Sequence, residues 1–369
     1  MIRLSTLLAE SKLKMNIPTD IKKIYNLFKK NGKQLYVVGG AVRDAVLGKT
    51  PKDFDLATDA KPDEVLDIAK QGKFKSVEVG KAFGVVMVGG HEIATFRKDI
   101  GKGRRPKAVD YTDIQGDVKR RDLTINALFY DIGRGNIVDL VGGIADLKKK
   151  KIRTVGNAEE RFDEDPLRKL RAVRFAGSVG GRMSKDTWSA LKQDSDLSGV
   201  PAERIRDEYI KGVTKAQKVP NYFKMLKSLG MDKQIFKGLS VMSLTKQTTN
   251  DYIIQTARVL RNNNPDKLKS KLGSLSWTNK EVGDIWLLLH MMRPAQVIKD
   301  LPTFKKLQKN SNLSDKQIKL WSNIQSKYAP KLWNWKLSIT SKDAIDKGMK
   351  GKGIGDYIKQ AEEKKFLES

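Results

Sequence analysis

Cysteine is absent from the sequence, and histidine is nearly so, with His91 and His290 alone. The first absence excludes disulfides, thiolate nucleophiles and cysteine-ligated zinc; the second argues against a histidine-rich metal site or a Ser-His-Asp triad. Long apolar runs are missing too. No stretch approaches the roughly 18 residues of a membrane span, and the opening MIRLSTLLAESKLKM is amphipathic without a continuous apolar core. The expectation is a cytoplasmic protein with no membrane partner, whose chemistry falls to carboxylates, hydroxyls, lysine, arginine and bound metal.

What is abundant is positive charge. Among 369 residues, 72 are Lys or Arg and 43 Asp or Glu, a net +29 spread from end to end. A polyanion is the natural partner of such a surface, the alternative being a lysine-rich solvated surface with no charged ligand. The 39% apolar content is enough for ordinary cores, in roughly two or three domains.

Short strand-like runs fill the first 140 residues: QLYVV, FDLAT, SVEV, FGVVMV, EIATFR, ALFYD and NIVDL, most of them bounded by Gly, Asp or Pro. After Lys151 helical periodicity takes over, with stops near Pro201, Gly230 and Pro265. The fold class is therefore α+β, a mixed-sheet head followed by an all-helical remainder.

In YVVGGAVRDAVLGKTPKDFDLAT an apolar run ends in Gly39-Gly40, and AVRDAVLG reads as a short helix stopped by Gly48. Asp53 and Asp55, two apart, project from one face of a strand while Phe54 points into the core. Two carboxylates this close repel unless a cation lies between them, which suits a hard divalent metal, Mg²⁺ above all. The glycine amides can approach phosphate oxygens at a helix N-terminus, and Arg43, one turn in, adds charge-assisted bonds. Each element alone more often marks a turn or solvated edge. In this order they resemble the nucleotidyltransferase superfamily that includes DNA polymerase β.

The longer wording VGGAVRDAVLG, KDFDLAT, FGVVMV, EIATFR, GRRP, KRRDLTINAL, DLVGGIADLKKKKIRTVG, ERFDEDPLRKLRAVRFA and ERIRDEY resembles the class II tRNA nucleotidyltransferase and poly(A) polymerase family, from about Leu35 to Gly230. The resemblance implies a nucleotidyltransferase head (1–140), a helical neck that recognises the nucleobase (141–205), a helical body (206–290) and a helical tail that binds tRNA (291–369). It makes Asp53 and Asp55 the metal ligands. Glu92 becomes a supporting third carboxylate, unless it is an edge-strand surface residue. Arg121 and Asp122 would meet nucleotide phosphate and ribose, with Thr124 and Asn126 in the same motif, whereas Arg120 reads better as part of a solvated turn.

DEDPLRKLRAVRF reads as one helix capped by Asp163 with Pro166 in its first turn, which places Asp165, Arg168 and Arg171 near one face. The plain alternative is a surface Asp-Arg pair. Cytosine and adenine both present an exocyclic amino donor beside a ring-nitrogen acceptor, matching an Asp acceptor beside an Arg donor; uracil and guanine present the reverse. By resemblance Glu164 positions the pair, Arg171 reaches phosphate and ERIRDEY supports the helix.

The implied activity is CCA addition, the transfer of CMP, CMP and AMP from CTP and ATP to the tRNA 3′ end with release of pyrophosphate. A poly(A) or A-adding enzyme and an inert RNA-binding protein on the same fold are the alternatives. The Asp53–Asp55 pair argues against inertness. Gly84, and a loop between Gly101 and Tyr111 that keeps Arg104-Arg105-Pro106, favour full CCA addition. Trp321, Trp333 and Trp335 read as packing between helices rather than stacking on nucleic acid.

Overall fold

Tyr36, Phe96 and Phe129 form the aromatic centre of the head, with ring centroids 6.0–6.1 Å apart, packed with Val38, Ala57, Val118 and Ala127. Around them the computed structural model, which describes residues 11–12, 14–101, 108–324 and 329–369, builds one mixed eight-stranded sheet. Its strands are β1 (Ser11–Lys12), β2 (Leu35–Val38), β3 (Asp55–Thr58), β4 (Ser76–Gly80), β5 (Val85–Val88) and β6 (His91–Thr95). After a separate hairpin, β7 (Arg97–Ile100) with β8 (Ala108–Tyr111), the sheet is completed by β9 (Leu128–Asp131) and β10 (Asn136–Asp139). The order is β1-β10-β9-β2-β3-β6-β5-β4, antiparallel throughout except β3 with β6. Every strand expected from the seven runs is present.

Helices α1 (Thr19–Lys30), α2 (Gly40–Val46), α3 (Pro62–Gln71), α4 (Ile114–Lys119) and α5 (Gly143–Lys148) accompany the sheet. The turn into α5 is closed by Asp139, whose carboxylate accepts from four successive amides, Val141 to Ile144, at 2.8–3.2 Å. Gly143 is required there, since a Cβ would stand 2.2 Å from the Thr124 carbonyl oxygen. A short parallel ribbon follows, β11 (Lys151–Ile152) with β12 (Arg182–Met183), together with α6 (Ala158–Glu164), α7 (Leu167–Val179) and α8 (Lys185–Gln193).

One expectation needs correction. DEDPLRKLRAVRF is not a single helix capped by Asp163: that residue lies in the last turn of α6, and the chain breaks at Asp165 (φ −147°, ψ 103°) before α7. The cause is Pro166, whose ring pushes the preceding residue out of the helical region. The Asp165 carboxylate then accepts from the Leu167 amide at 3.1 Å and starts the new helix.

The chain divides into two compact units after Val200. The second, from Pro201, holds twelve α-helices among the described residues, beginning with α9 (Ala202–Lys215). ERIRDEY lies on α9 and anchors this unit's own core. Tyr209 sits against Phe223, Phe236 and Trp277 with its hydroxyl 2.9 Å from Thr256, and Arg206 pairs with Glu281 at 2.6 Å. Trp321 is fully buried, Trp333 is half-buried, and the Trp335 indole N–H donates to Glu362 at 2.9 Å while its ring meets Phe366 edge-on, so Trp321 and Trp335 pack as expected. The final helix, Lys352–Glu368, follows the glycine-rich turn at Gly351. No helix among the described residues is long and apolar enough to cross a membrane.

Candidate active site

The site is built where β2 hands over to α2. Gly39 takes φ 67° and ψ −116°, a conformation that costs a non-glycine residue on the order of 1–3 kcal/mol. Its N–H donates to the Leu128 carbonyl at 3.0 Å, so Gly39 supplies the shape of the turn rather than a phosphate donor. Gly40 opens the helix. A Cβ added to Gly39 would lie 3.6 Å from Arg121 Nη1, and one added to Gly40 3.8 Å from Arg43 Nη2: both cations crowd the glycines.

Those cations are held by a polar chain that crosses the unit. Arg43 Nη1 donates to Asn126 Oδ1 at 2.7 Å, while its Nε and Nη2 reach Asp44 at 3.0 and 2.8 Å. Asn126 in turn donates to Asp122 Oδ1 at 3.2 Å, and Arg171 donates to Asp122 Oδ2 at 2.7 Å. Phe175 on α7 lies under the Arg43, Arg171 and Arg174 guanidinium groups at 5.0, 5.6 and 3.9 Å. Arg121 stacks on Phe129 at 4.6 Å and donates to the Asn126 carbonyl at 3.3 Å. Burial lowers the Arg121 pKa, against the pull of Asp117.

Burial opposes ionisation of Asp122, but Arg171, Asn126 and the Leu123 amide prevail and bring its pKa down to about 2. All four of its lone-pair positions are taken: Oδ1 by Leu123 and Asn126, Oδ2 by two Arg171 nitrogens. In this state Arg171 is directed at Asp122, and a ribose contact to that carboxylate would require Arg171 to let go. A depressed carboxylate pKa stabilises the fold above the ordinary 3.8 and loses that contribution as pH falls towards about 2. The window is worth on the order of 2 kcal/mol. Asp122→Asn should therefore be less stable than the parent at neutral pH, the gap closing between about pH 4 and pH 2. A gap independent of pH in chemical denaturation would contradict this.

The acidic residues lie along the sheet. Asp55 opens β3, whereas Asp53 precedes the strand, so the two do not share a strand face as expected; Phe54 between them is half-buried. The pairing Leu56 with Ile93 brings Asp55 and Glu92 to neighbouring positions of β3 and β6, both exposed. The protein mass around Asp55 raises its pKa and Asp53 adds to the rise, while Arg121 opposes it. Among the described residues no three acidic or histidine side chains converge on one metal position. A cation there would rest on the Asp53–Asp55 pair and on ligands from outside the protein.

Asp165 and Arg168 occupy a different setting from a solvated helix surface. Asp165 is 9% exposed. Arg168 Nη1 bonds Glu164 and the Arg161 carbonyl (3.2 Å), and Nη2 bonds the Arg120 carbonyl at 2.9 Å. Glu164 also pairs with Arg161, so it holds two arginines at once. Of the loop between Gly101 and Tyr111, Arg104-Arg105-Pro106 falls outside the described residues; Gly84, at φ 72°, packs beneath Tyr111 of β8. Sequence reasoning missed the supports: Phe175, which shares its helix face with Arg171 at i, i+4; Asp146, which accepts from Thr124 (2.6 Å) and Arg153 (2.9 Å); and Asp117.

The family described as the poly A polymerase head domain matches residues 35–153. The chain is 44% identical over 207 residues to a CCA-adding enzyme of Ligilactobacillus salivarius, covering 53% of this chain and 50% of that protein. It is 44% identical over 188 residues to a CCA-adding enzyme of Bacillus subtilis, covering 49% and 46%. The alignments span about half the length of the curated relatives. Two solved structures share the fold over nearly the whole chain. One is a Bacillus stearothermophilus CCA-adding enzyme in complex with CTP (TM-score 0.69, 24% identity, 95% of this chain and 93% of that one). The other is a Thermotoga maritima CCA-adding enzyme complexed with tRNA-CCA (TM-score 0.64, 21% identity, 96% and 93%).

Proposed function

We propose, from the premise that the head of this chain belongs to the class II tRNA nucleotidyltransferase and poly(A) polymerase family, that the protein is a CCA-adding enzyme. It transfers CMP, CMP and AMP from CTP and ATP to the 3′ end of tRNA. The terminal hydroxyl oxygen forms a bond to the α-phosphorus, the bond to the bridging oxygen breaks, and pyrophosphate leaves with the electron pair. The observation that carries the reading is the seating of Asp165 and Arg168. Arg168 is fixed by Glu164 and by the carbonyls of Arg120 and Arg161, beside a buried Asp165. This seating supports reading the two as an acceptor and donor edge rather than as a solvated surface pair.

In this reading Arg43 and Arg121 meet the triphosphate around the Gly39-Gly40 turn; the chain Asn126–Asp122–Arg171 ties Arg43 to α7, while Asp117, Phe129 and the Asn126 carbonyl hold Arg121. Asp53 and Asp55 fit a divalent metal, Mg²⁺, because a cation offsets the burial and the added Asp53 charge that raise the Asp55 pKa, and because carboxylate oxygens are hard donors. When bound, such a metal neutralises phosphate charge and acidifies the attacking hydroxyl. Glu92, next to Asp55 across the strand pair, does not join Asp53 and Asp55 at one metal position, and its part in this reading is a neighbouring negative charge rather than a third ligand. The domain roles follow the same reading: head 1–140, base-recognising neck 141–205, body 206–290 and tRNA-binding tail 291–369, working in the cytoplasm.

The test is a tRNA transcript ending before CCA, in C or in CC, incubated with each labelled triphosphate. CTP alone should add two residues to the first, and ATP a single residue to the last. A ladder of A on every substrate would make it a poly(A) polymerase, and no extension would leave an RNA-binding protein. Recognition of A-form tRNA through phosphates and 2′-hydroxyls, by a chain of net charge +29, also predicts strong salt dependence. The log-log slope of the association constant should be on the order of −5. A flat dependence in filter binding would assign the charge to solvation alone.

A further inference from the structure

Asp117 is 1% exposed, on the short helix α4, and outside every motif named above. Its Oδ1 accepts from Arg120 Nε at 2.8 Å and, at a longer 3.4 Å, from the backbone N–H of Arg97 at the root of the β7–β8 hairpin. Its Oδ2 accepts from Arg121 Nε and Nη2 at 3.1 and 2.9 Å. Burial opposes its charge, yet Arg121 and Arg120 outweigh burial and keep the carboxyl below its ordinary range. The other end of the same helix is also engaged. The Lys119 carbonyl accepts from Arg161 Nη1 at 2.7 Å and the Arg120 carbonyl from Arg168 Nη2 at 2.9 Å, cations placed where a helix C-terminus favours them.

We infer that Asp117 is a positioning residue that sets the phosphate-side Arg121 and the base-side Arg168 in one register, with α4 as the rigid piece between them. Arg121 is fixed directly by the carboxylate. Arg168 is fixed through Arg120, whose side chain Asp117 holds while its carbonyl receives the neck arginine. A buried carboxylate with two guanidinium groups and a backbone amide has no slack: removing its charge leaves two arginines without their shared partner. A nucleotide whose base is read by Arg168 is thereby presented with its phosphates at the distance that Arg121 and the Gly39 turn require. The inference rests on the nucleotidyltransferase reading.

The experiment uses the full chain with Asp117→Asn, which keeps shape and removes charge, and with Arg120→Met, which cuts the link to Asp117 but keeps the Arg120 carbonyl. Both are assayed on tRNA lacking CCA, normalised to folded protein. Displacement of either arginine should lower kcat for CMP transfer about 10- to 100-fold and lower the CTP-over-UTP ratio about tenfold or more, with the KM for tRNA unchanged. A purely structural role would lower thermal stability and leave both quantities per folded molecule as in the parent, and that result in either variant overturns the inference. If Asp117→Asn does not fold, Arg120→Met decides alone. Amide hydrogen exchange gives a readout independent of activity: Arg120→Met should speed exchange in both 97–100 and 158–171. Unchanged exchange in 158–171 overturns the coupling even if the parent transfers no nucleotide, whereas an inert parent with the expected exchange removes only the functional reading.

Discussion

Asp55→Asn is expected to lower nucleotide incorporation by about 10³-fold or more while tRNA affinity stays within about twofold. The residue is pinned at the first position of β3, opposite Val38 of β2; it is partly exposed, yet its carboxylate is desolvated by the surrounding protein and feels the charges of Arg121 and Asp53. An amide of the same shape leaves the strand pairing intact and removes the charge that a hard cation needs. Because folding raises the Asp55 pKa, its ionised form already costs stability at neutral pH. The neutral amide should therefore melt no lower than the parent, which separates lost chemistry from lost fold. Asp53→Asn should show the same loss of transfer from its position just before the strand. Near-normal turnover by Asp55→Asn would end the two-carboxylate reading of this site.

If Asp165 and Arg168 read the base as proposed, Asp165→Asn should invert the chemistry of that edge with little disturbance of the helix start at Leu167. The retained Oδ1 can still accept from the Leu167 amide and start α7, while the second atom changes from acceptor to donor. The amino groups of cytosine and adenine then lose their acceptor, and the keto oxygens of uracil and guanine gain a donor. Arg168, still clamped by Glu164 and the Arg120 carbonyl, continues to favour a ring-nitrogen acceptor. Sites built to hydrogen-bond a given edge reject its mismatch by up to roughly 10⁴–10⁵, since the mismatch leaves buried polar groups unpaired. The CTP-over-UTP ratio in single-nucleotide incorporation should fall about 10²-fold or more in the variant. A surface ion pair would contribute only about 0.2–0.5 kcal/mol to stability and nothing to base choice, so an unchanged C and A preference would overturn the templating role.

The sheet was legible because its strands carry apolar runs bounded by Gly, Asp or Pro, and the aromatic centre at Tyr36, Phe96 and Phe129 lies on or beside three of those runs. The β7–β8 hairpin was not fully legible. RKDI and AVDY mix charged and apolar residues in a ribbon that pairs with no other strand among the described residues, so only the first was even partly read, in EIATFR. The break before α7 did have a signal, the effect of Pro166 on the residue before it, but the helical periodicity on both sides outweighed it. Arg43, Arg121, Asp122, Asn126 and Arg171 were readable as site candidates by residue type and order. Their mutual wiring was not, because Arg43–Asn126 spans 83 positions and Arg171–Asp122 spans 49. Asp117 carries no local pattern at all in IQGDVK; only burial among three arginine contacts reveals it.

The central claim is that protein side chains choose the nucleobase with no nucleic-acid template. The measurement that meets it most directly is equilibrium binding of the four nucleoside triphosphates to the protein alone, with Mg²⁺ and without tRNA. The account predicts that CTP and ATP bind about tenfold or more tighter than UTP and GTP, and that Asp165→Asn erases the difference. Four equal affinities for the parent protein would contradict it.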